Sequence, residues 1–338
     1  MKIDANAMST DLQDVPGQVK AMEAIGFDGV WTAETRHDAI LPLVLAAEHT
    51  RRIEMGTAIA VAFARSPGNL AYMAWDLAKY SKGRFILGLG SQVKAHNVRR
   101  FGASWEKPAA KMREIVLAIR ALWDCWQNRT PLHFEGEFFK LTLMTPFFDP
   151  GPHEYPRIPI YLAAVNALMC QVAGEVCDGL HAHPFITPAY LREVVLPNMA
   201  IGLEKSGRPR EAMTLCLSFF AIPTDDPERQ AIEGMVRQQI GFYASTPAYK
   251  AVMDLHGWQD AQAHLSKLAR EGRWDAIPDA VTDEMVHEVA TLGTWAELPG
   301  LIRARYEGLV DRGRFYFPFI PGQKEDIWRK VIKAFKEG

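Results

Sequence analysis

The sequence predicts a single (β/α)8 barrel of the TIM type. Short β-type runs alternate with helical patterns from the first residues almost to the last, and eight such pairs can be counted. A chain of 338 residues is an ordinary size for one barrel carrying insertions. Strict alternation implies a parallel sheet, and eight units favour closure over an open doubly wound sheet. The whole chain, 1–338, thus reads as one domain.

The elements follow in order. Lys2–Ala7 is the first strand candidate, and an amphipathic stretch runs from there to Ile25. Gly26-Phe27-Asp28 turns into a strand over Gly29–Ala33, and a helix through Leu41–His49 leads to Ile53–Val61. A helix through Leu70–Tyr80 precedes the strand Arg84–Leu89. The clearest element is the helix near Lys111–Gln127. Its Met112, Ile115, Val116, Ile119, Leu122, Trp123 and Trp126 recur at steps of three and four, which makes one buried stripe. Pro131–Pro156, rich in Gly, Pro and Phe, reads as a hairpin or loop excursion. Alternation resumes with Ile158–Ala163, a helix to Val176, a strand Gly179–His183, a helix over Tyr190–Leu203, a strand Leu215–Ile222 and a helix over Arg229–Tyr243. Residues 245–292 break the rhythm and read as an insertion of helices and loops. Thr294 and Glu297 form a capping box for a helix to Val310. Arg314–Phe319 is the last expected strand and Asp326–Phe335 the last helix.

Composition narrows the function. Hydrophobic residues make up 48% and the formal net charge is −2, which argues against a nucleic-acid-binding surface. The N-terminus lacks the layout of a signal peptide, and no apolar run is long enough for a membrane span. Cys125, Cys170, Cys177 and Cys216 are scattered through apolar segments, as small core residues would be in a reducing, cytoplasmic setting. The expected partners are a small-molecule substrate and further copies of the chain, as a homodimer or larger homo-oligomer.

In barrels of this kind chemistry sits where strands end. The second strand ends in Glu34-Thr35-Arg36-His37, where a carboxylate after an apolar strand needs a partner; Arg36 or His37 could supply it in a surface ion pair. The fourth is followed by Gly88, Gly90, Ser91, Gln92, Lys94 and His96. Gly88-Leu89-Gly90 lacks the third glycine of a dinucleotide fingerprint and reads instead as a place where a flat ring meets the backbone. The fifth strand ends at Ala163-Ala164-Val165-Asn166. Small residues there leave the first amides of the next helix open to a phosphate, or merely pack. His181 and His183 share one strand face, a spacing that suits two metal ligands. The later strand ends Ala221-Ile222-Pro223 and Pro318-Phe319-Ile320 offer no further ligand, so no metal is assigned.

Gly26-Phe27-Asp28-Gly29-Val30-Trp31, Gly56-Thr57-Ala58-Ile59 and the stretch from Ser81-Lys82-Gly83-Arg84-Phe85 to Gly88-Leu89-Gly90-Ser91 resemble the bacterial luciferase-like superfamily. The element order matches over nearly the whole chain. Phe242–Tyr249 and His256-Gly257-Trp258 resemble the branch that uses the deazaflavin coenzyme F420. The resemblance implies a non-prolyl cis peptide joining Ala58 to Ile59 behind the flavin ring. It also implies that Gly90, Ser91, Gln92 and His96 line the cofactor pocket, and that the amides of Ala164, Val165 and Asn166 hold the phosphate. Two departures stand out. Thr35 replaces the family's catalytic histidine, and Val93 replaces a glutamate of the sugar-phosphate dehydrogenase branch.

The expected function is therefore an F420-dependent oxidoreductase that passes hydride between the deazaflavin and a small organic substrate. FMN is the alternative cofactor, in a luciferase-like monooxygenase; a flavin-binding barrel without turnover and a barrel metal hydrolase are further rivals. The proton donor is expected to be His183, a histidine near its ordinary pKa, with His37 and His96 as substitutes. Glu34 is expected to bond the cofactor or orient the donor. Phe63, Phe185, Tyr243 and Trp258 suggest an apolar or ring-containing substrate.

Overall fold

The computed structural model describes residues 1–7 and 11–337. Residues 8–10, inside the amphipathic stretch expected after the first strand, lie outside the described residues. Eight parallel strands form a closed ring: β1 (Lys2–Asn6), β2 (Gly29–Thr32), β3 (Glu54–Thr57), β4 (Phe85–Gly90), β5 (Ile160–Ala164), β6 (Gly179–Ala182), β7 (Thr214–Pro223) and β8 (Arg312–Phe315). Each pairs with its neighbour in chain order, and β8 closes on β1 with Arg312 opposite Lys2 and Arg314 opposite Asp4. Helices follow every strand and cover the outside. The helix Pro108–Asn128 buries the whole stripe from Met112 to Trp126 anticipated from its periodicity.

Glycines decide two close approaches. A Cβ on Gly174 would sit 2.1 Å from the Met199 carbonyl oxygen, and one on Gly202 2.0 Å from that of Gln171. The helices Ala167–Val176 and Leu196–Lys205 therefore pack backbone to backbone.

The elements depart from the sequence reading in four places. The third strand is broken: β3 stops at Thr57, and Ala60–Val61 pairs again with Leu89 and Gly90 of β4. The intervening Ala58–Ile59 peptide is cis. The last strand begins two residues earlier than expected and ends at Phe315, because Phe319 turns inward to pack on Phe27 and Trp328 instead of continuing the ladder. Residues 245–292 carry short helices, but their end forms a strand, Ala290–Gly293, which pairs with Phe220–Pro223 of the long β7 outside the ring. Finally, Lys94–Arg100 is a helix in a stretch to which the sequence assigned no element. The excursion after the long helix does hold a small hairpin, Phe134–Glu135 with Lys140–Leu141. Its turn is anchored on the buried Glu114 carboxylate, which accepts from the amides of Glu137, Phe138 and Phe139. The capping box is present, with Thr294 N–H donating to Glu297 Oε2 at 2.9 Å and Glu297 N–H to Thr294 Oγ1 at 3.3 Å. No helix among the described residues is long and apolar enough to cross a membrane.

Candidate active site

The candidate residues gather at the C-terminal ends of the strands, but several do work other than that expected. Glu34 is buried at the end of β2. Its Oε2 accepts from the Val61 amide at 2.7 Å and is paired with Arg65 Nη1 at 2.6 Å. Arg65 also reaches Asp38 at 2.9 Å. Neither Arg36 nor His37 is its partner. The carboxylate braces the chain just beyond the cis peptide, and its charge is already spent on Arg65, so it is not a free acid. Sequence reasoning missed Arg65 because 31 positions separate it from Glu34. His37 lies exposed on the loop.

The glycines of β4 also have another purpose. A Cβ on Gly88 would lie 1.7 Å from the Thr57 carbonyl oxygen, and one on Gly90 2.7 Å from Ile59 Cγ1. They make room for the bulged third strand. Thr57 Oγ1 completes this contact by donating to the Gly88 carbonyl at 2.6 Å and accepting from its amide at 3.0 Å.

After β4 the chain turns through Gln92, whose φ of 59° is left-handed, a conformation uncommon outside glycine. The turn is held by its own polar groups. Ser91 Oγ donates to the Gln92 carbonyl at 3.1 Å, and Asn97 Nδ2 donates to the Ser91 carbonyl at 2.6 Å. His96 is exposed on the helix that follows, and Arg100 of the same helix bonds the Thr35 carbonyl. The loops after β2 and β4 are thus tied together.

The chain passes from β5 into the next helix through Val165 and Asn166. Asn166 is the N-cap of the helix Ala167–Val176, yet its side chain caps nothing. Tyr190 Oη donates to the Val165 carbonyl at 3.2 Å and steadies the entry. Ala164 is buried, while Asn166 is exposed.

His183 stands just past β6. The Phe185 amide donates to its Nδ1 at 3.2 Å. The ring meets Tyr243 edge-on at 4.4 Å and lies 4.3 Å from Tyr249. Tyr249 comes from the insertion, so this segment forms part of the mouth. Burial pushes the imidazole pKa down to about 3, so at neutral pH the ring is uncharged and its proton sits on Nε2. The expectation of a histidine near its ordinary pKa is corrected: the aromatic rings packed on this part-exposed imidazole displace much of the water that would stabilise its charged form. His181 lies deeper, edge-on to Trp31 at 4.8 Å, and is neutral for the same reason, reinforced by Arg314 and Arg312.

Of the four aromatic residues expected to meet a substrate, Phe185 is fully buried and Trp258 stacks on His256 at 4.3 Å, so both pack the wall. Phe63 packs against Trp105. Tyr243 remains at the mouth beside His183, its hydroxyl 2.8 Å from that of Tyr316.

Comparison with known proteins agrees with this architecture. An uncharacterized protein of Mycobacterium tuberculosis is 48% identical over 317 residues, covering 94% of this chain and 92% of its own. A 5,10-methylenetetrahydromethanopterin reductase of Archaeoglobus fulgidus is 29% identical over 284 residues, 82% of this chain and 81% of its own. Among solved structures, the coenzyme F420 dependent tetrahydromethanopterin reductase of Methanopyrus kandleri superposes with a TM-score of 0.80 at 20% identity, covering 98% of this chain and 97% of that one. The family model of luciferase-like monooxygenases matches residues 2–312, and the chain belongs to that family.

Proposed function

We propose that the protein is an F420-dependent oxidoreductase acting on a small organic substrate at the mouth of the barrel. The observation that carries this reading is the uncapped helix start at Asn166, set on the same mouth as a neutral His183. Open amides at a helix N-terminus suit the phosphate of a flavin-type cofactor, and the relatives named for F420 or methanopterin chemistry point to the deazaflavin. In this reading the amides of Ala164, Val165 and Asn166 hold the phosphate. Ser91, Gln92 and His96 border the ring, and Ala58–Ile59 backs it. When bound, the reduced deazaflavin supplies the hydride.

The residues of the chain then bind, orient and exclude water. His183 offers Nε2–H as a fixed hydrogen-bond donor, since Nδ1 is already engaged as an acceptor. A neutral imidazole of this kind steadies negative charge growing on a substrate oxygen without first giving up a proton of its own. Glu34 keeps the third strand in place through Val61 and Arg65.

A second reading, an FMN-dependent monooxygenase, is favoured by the description of the family itself. Titration of the purified protein with F420 and with FMN separates the two. F420 is expected to bind at least tenfold more tightly. Tighter FMN binding with oxygen consumption during aerobic turnover would transfer the assignment to the monooxygenase, and binding without turnover would leave a flavin-carrying barrel.

A further inference from the structure

The inner end of the barrel mouth holds a positive charge that the reading above does not use. Arg312 and Arg314 project from the same face of β8, two residues apart, and both guanidinium groups lie over the Trp31 ring, at 5.3 and 5.7 Å from its centre. Their surroundings differ sharply. Arg312 bonds Asp4 through Nε at 2.5 Å and Nη2 at 3.0 Å, and Glu54 through Nη1 at 2.5 Å. Asp4 is further engaged by Trp31 Nε1 at 2.7 Å, and Glu54 by Lys2 at 2.9 Å. Two carboxylates and two cations thus balance at the closed end of the barrel.

Arg314, one step nearer the mouth, is surplus to that balance. Its Nε is sealed from solvent without an acceptor, the side chain as a whole is part-exposed, and Asp4, opposite it in the β1–β8 register, gives its oxygens to Arg312 instead. The contrast appears in their proton affinities. The carboxylates hold the Arg312 pKa up, whereas burial pushes that of Arg314 down. The potential reaches a neighbour too, for Arg314 helps to keep His181 uncharged. His181 has both ring nitrogens sealed from solvent, with the Thr57 backbone beside it outside ordinary hydrogen-bond geometry. Buried charges in proteins are as a rule paired. Arg314 is part-exposed over the Trp31 ring with no carboxylate of the described residues bonded to it, so its guanidinium is free to take a partner from outside, and a planar fork of donors suits a carboxylate.

We propose that Arg314 recognises a carboxylate on the substrate, so that the protein acts on a small apolar or ring-containing organic acid bound with its charged end inward. The proposal rests on the reading of the mouth as the substrate site and extends it to a substrate class. Ser218, opposite Arg314 in the β7–β8 register, and Tyr316, two residues further along the chain, are positions from which polar side chains could share that end.

The test uses the cofactor-free protein, with tryptophan fluorescence as the readout because Trp31 lies beside the guanidinium. Benzoate is the probe and benzamide its uncharged counterpart. Wild-type protein should bind benzoate saturably and at least tenfold more tightly than benzamide. Arg314→Gln should lose that preference, and Arg314→Lys should keep most of it. Near-ultraviolet circular dichroism checks that both variants retain native packing. Equal binding of benzoate and benzamide by the wild type, or benzoate binding by Arg314→Gln as tight as by the wild type, would overturn the proposal.

F420 affinity, measured in parallel, should change less than twofold in Arg314→Gln. A loss matching that for benzoate would place the anion on the cofactor and overturn the substrate assignment. A protein that binds neither F420 nor FMN but still takes benzoate through Arg314 would sink the cofactor reading and uphold the carboxylate site.

Discussion

His183 and His181 show how strongly enclosure rewrites a residue's chemistry. An imidazole in water titrates near 6.5, but His183 is held down to about 3, and His181 is also lowered, both chiefly by burial. The sign of the linkage follows. Between the folded and unfolded pKa values the unfolded chain binds more protons, so stability rises with pH through that window. It is complete above about 6.5 and declines as the pH falls below it. Each histidine contributes up to about 1 kcal/mol per pH unit in that range, by the size of one proton's linkage. Urea denaturation at pH 7, 6 and 5 should therefore give a falling stability in the wild type and a shallower fall in His183→Gln. Equal slopes would mean that His183 titrates normally in the folded protein. Glu34 makes a parallel point. The sequence singles it out as a misplaced acid, but its partner, Arg65, is visible only in three dimensions.

Among the elements, the helix Ala167–Val176 and the broken third strand bear most on function. The helix start was legible because small residues preceded it, whereas only the structure shows that the Asn166 side chain, of a type that commonly caps, caps nothing there. Its use for a phosphate can be checked by placing a like charge there. Val165→Asp should weaken F420 binding by about tenfold, the scale of a helix-end charge effect. Unchanged affinity would remove the phosphate from this helix. The glycines of β4 were legible as special positions but not in their purpose. Gly88 and Gly90 face Thr57 and Ile59 across the ladder, and nothing in their own segment says which neighbour will press against them. The strand Ala290–Gly293 was hidden for a related reason. It is short, and it exists by pairing with the overhanging end of β7.

The whole molecule is held shut where its two ends meet. β1 and β8 pair as first and last strands, and the Asp4–Arg312 bridge joins them inside the ring across 308 positions. Removing one partner of a buried pair leaves the other uncompensated, at a cost of about 3–5 kcal/mol. Asp4→Asn should lower stability by that amount in denaturant unfolding, and the double variant Asp4→Asn with Arg312→Met should recover part of it. A single variant as stable as the wild type would show that the bridge is not a clasp.

From residue order alone came the properties that repeat or sit close together in the chain. These are eight strand–helix units, the stripe of the long helix, the capping box at Thr294 and Glu297, and the helix start near Asn166. They are encoded by periodicity and by neighbours a few residues apart, which the chain presents before it folds. Tertiary structure alone decided which charges are spent and which remain available. Glu34 is neutralised by Arg65, Arg312 by Asp4 and Glu54, His183 is stripped of its basicity by Tyr243 and Tyr249, and Arg314 is left without an acid. Charge and solvation depend on what lies within a few ångströms in space, and in a closed barrel those neighbours come from strands far apart in sequence.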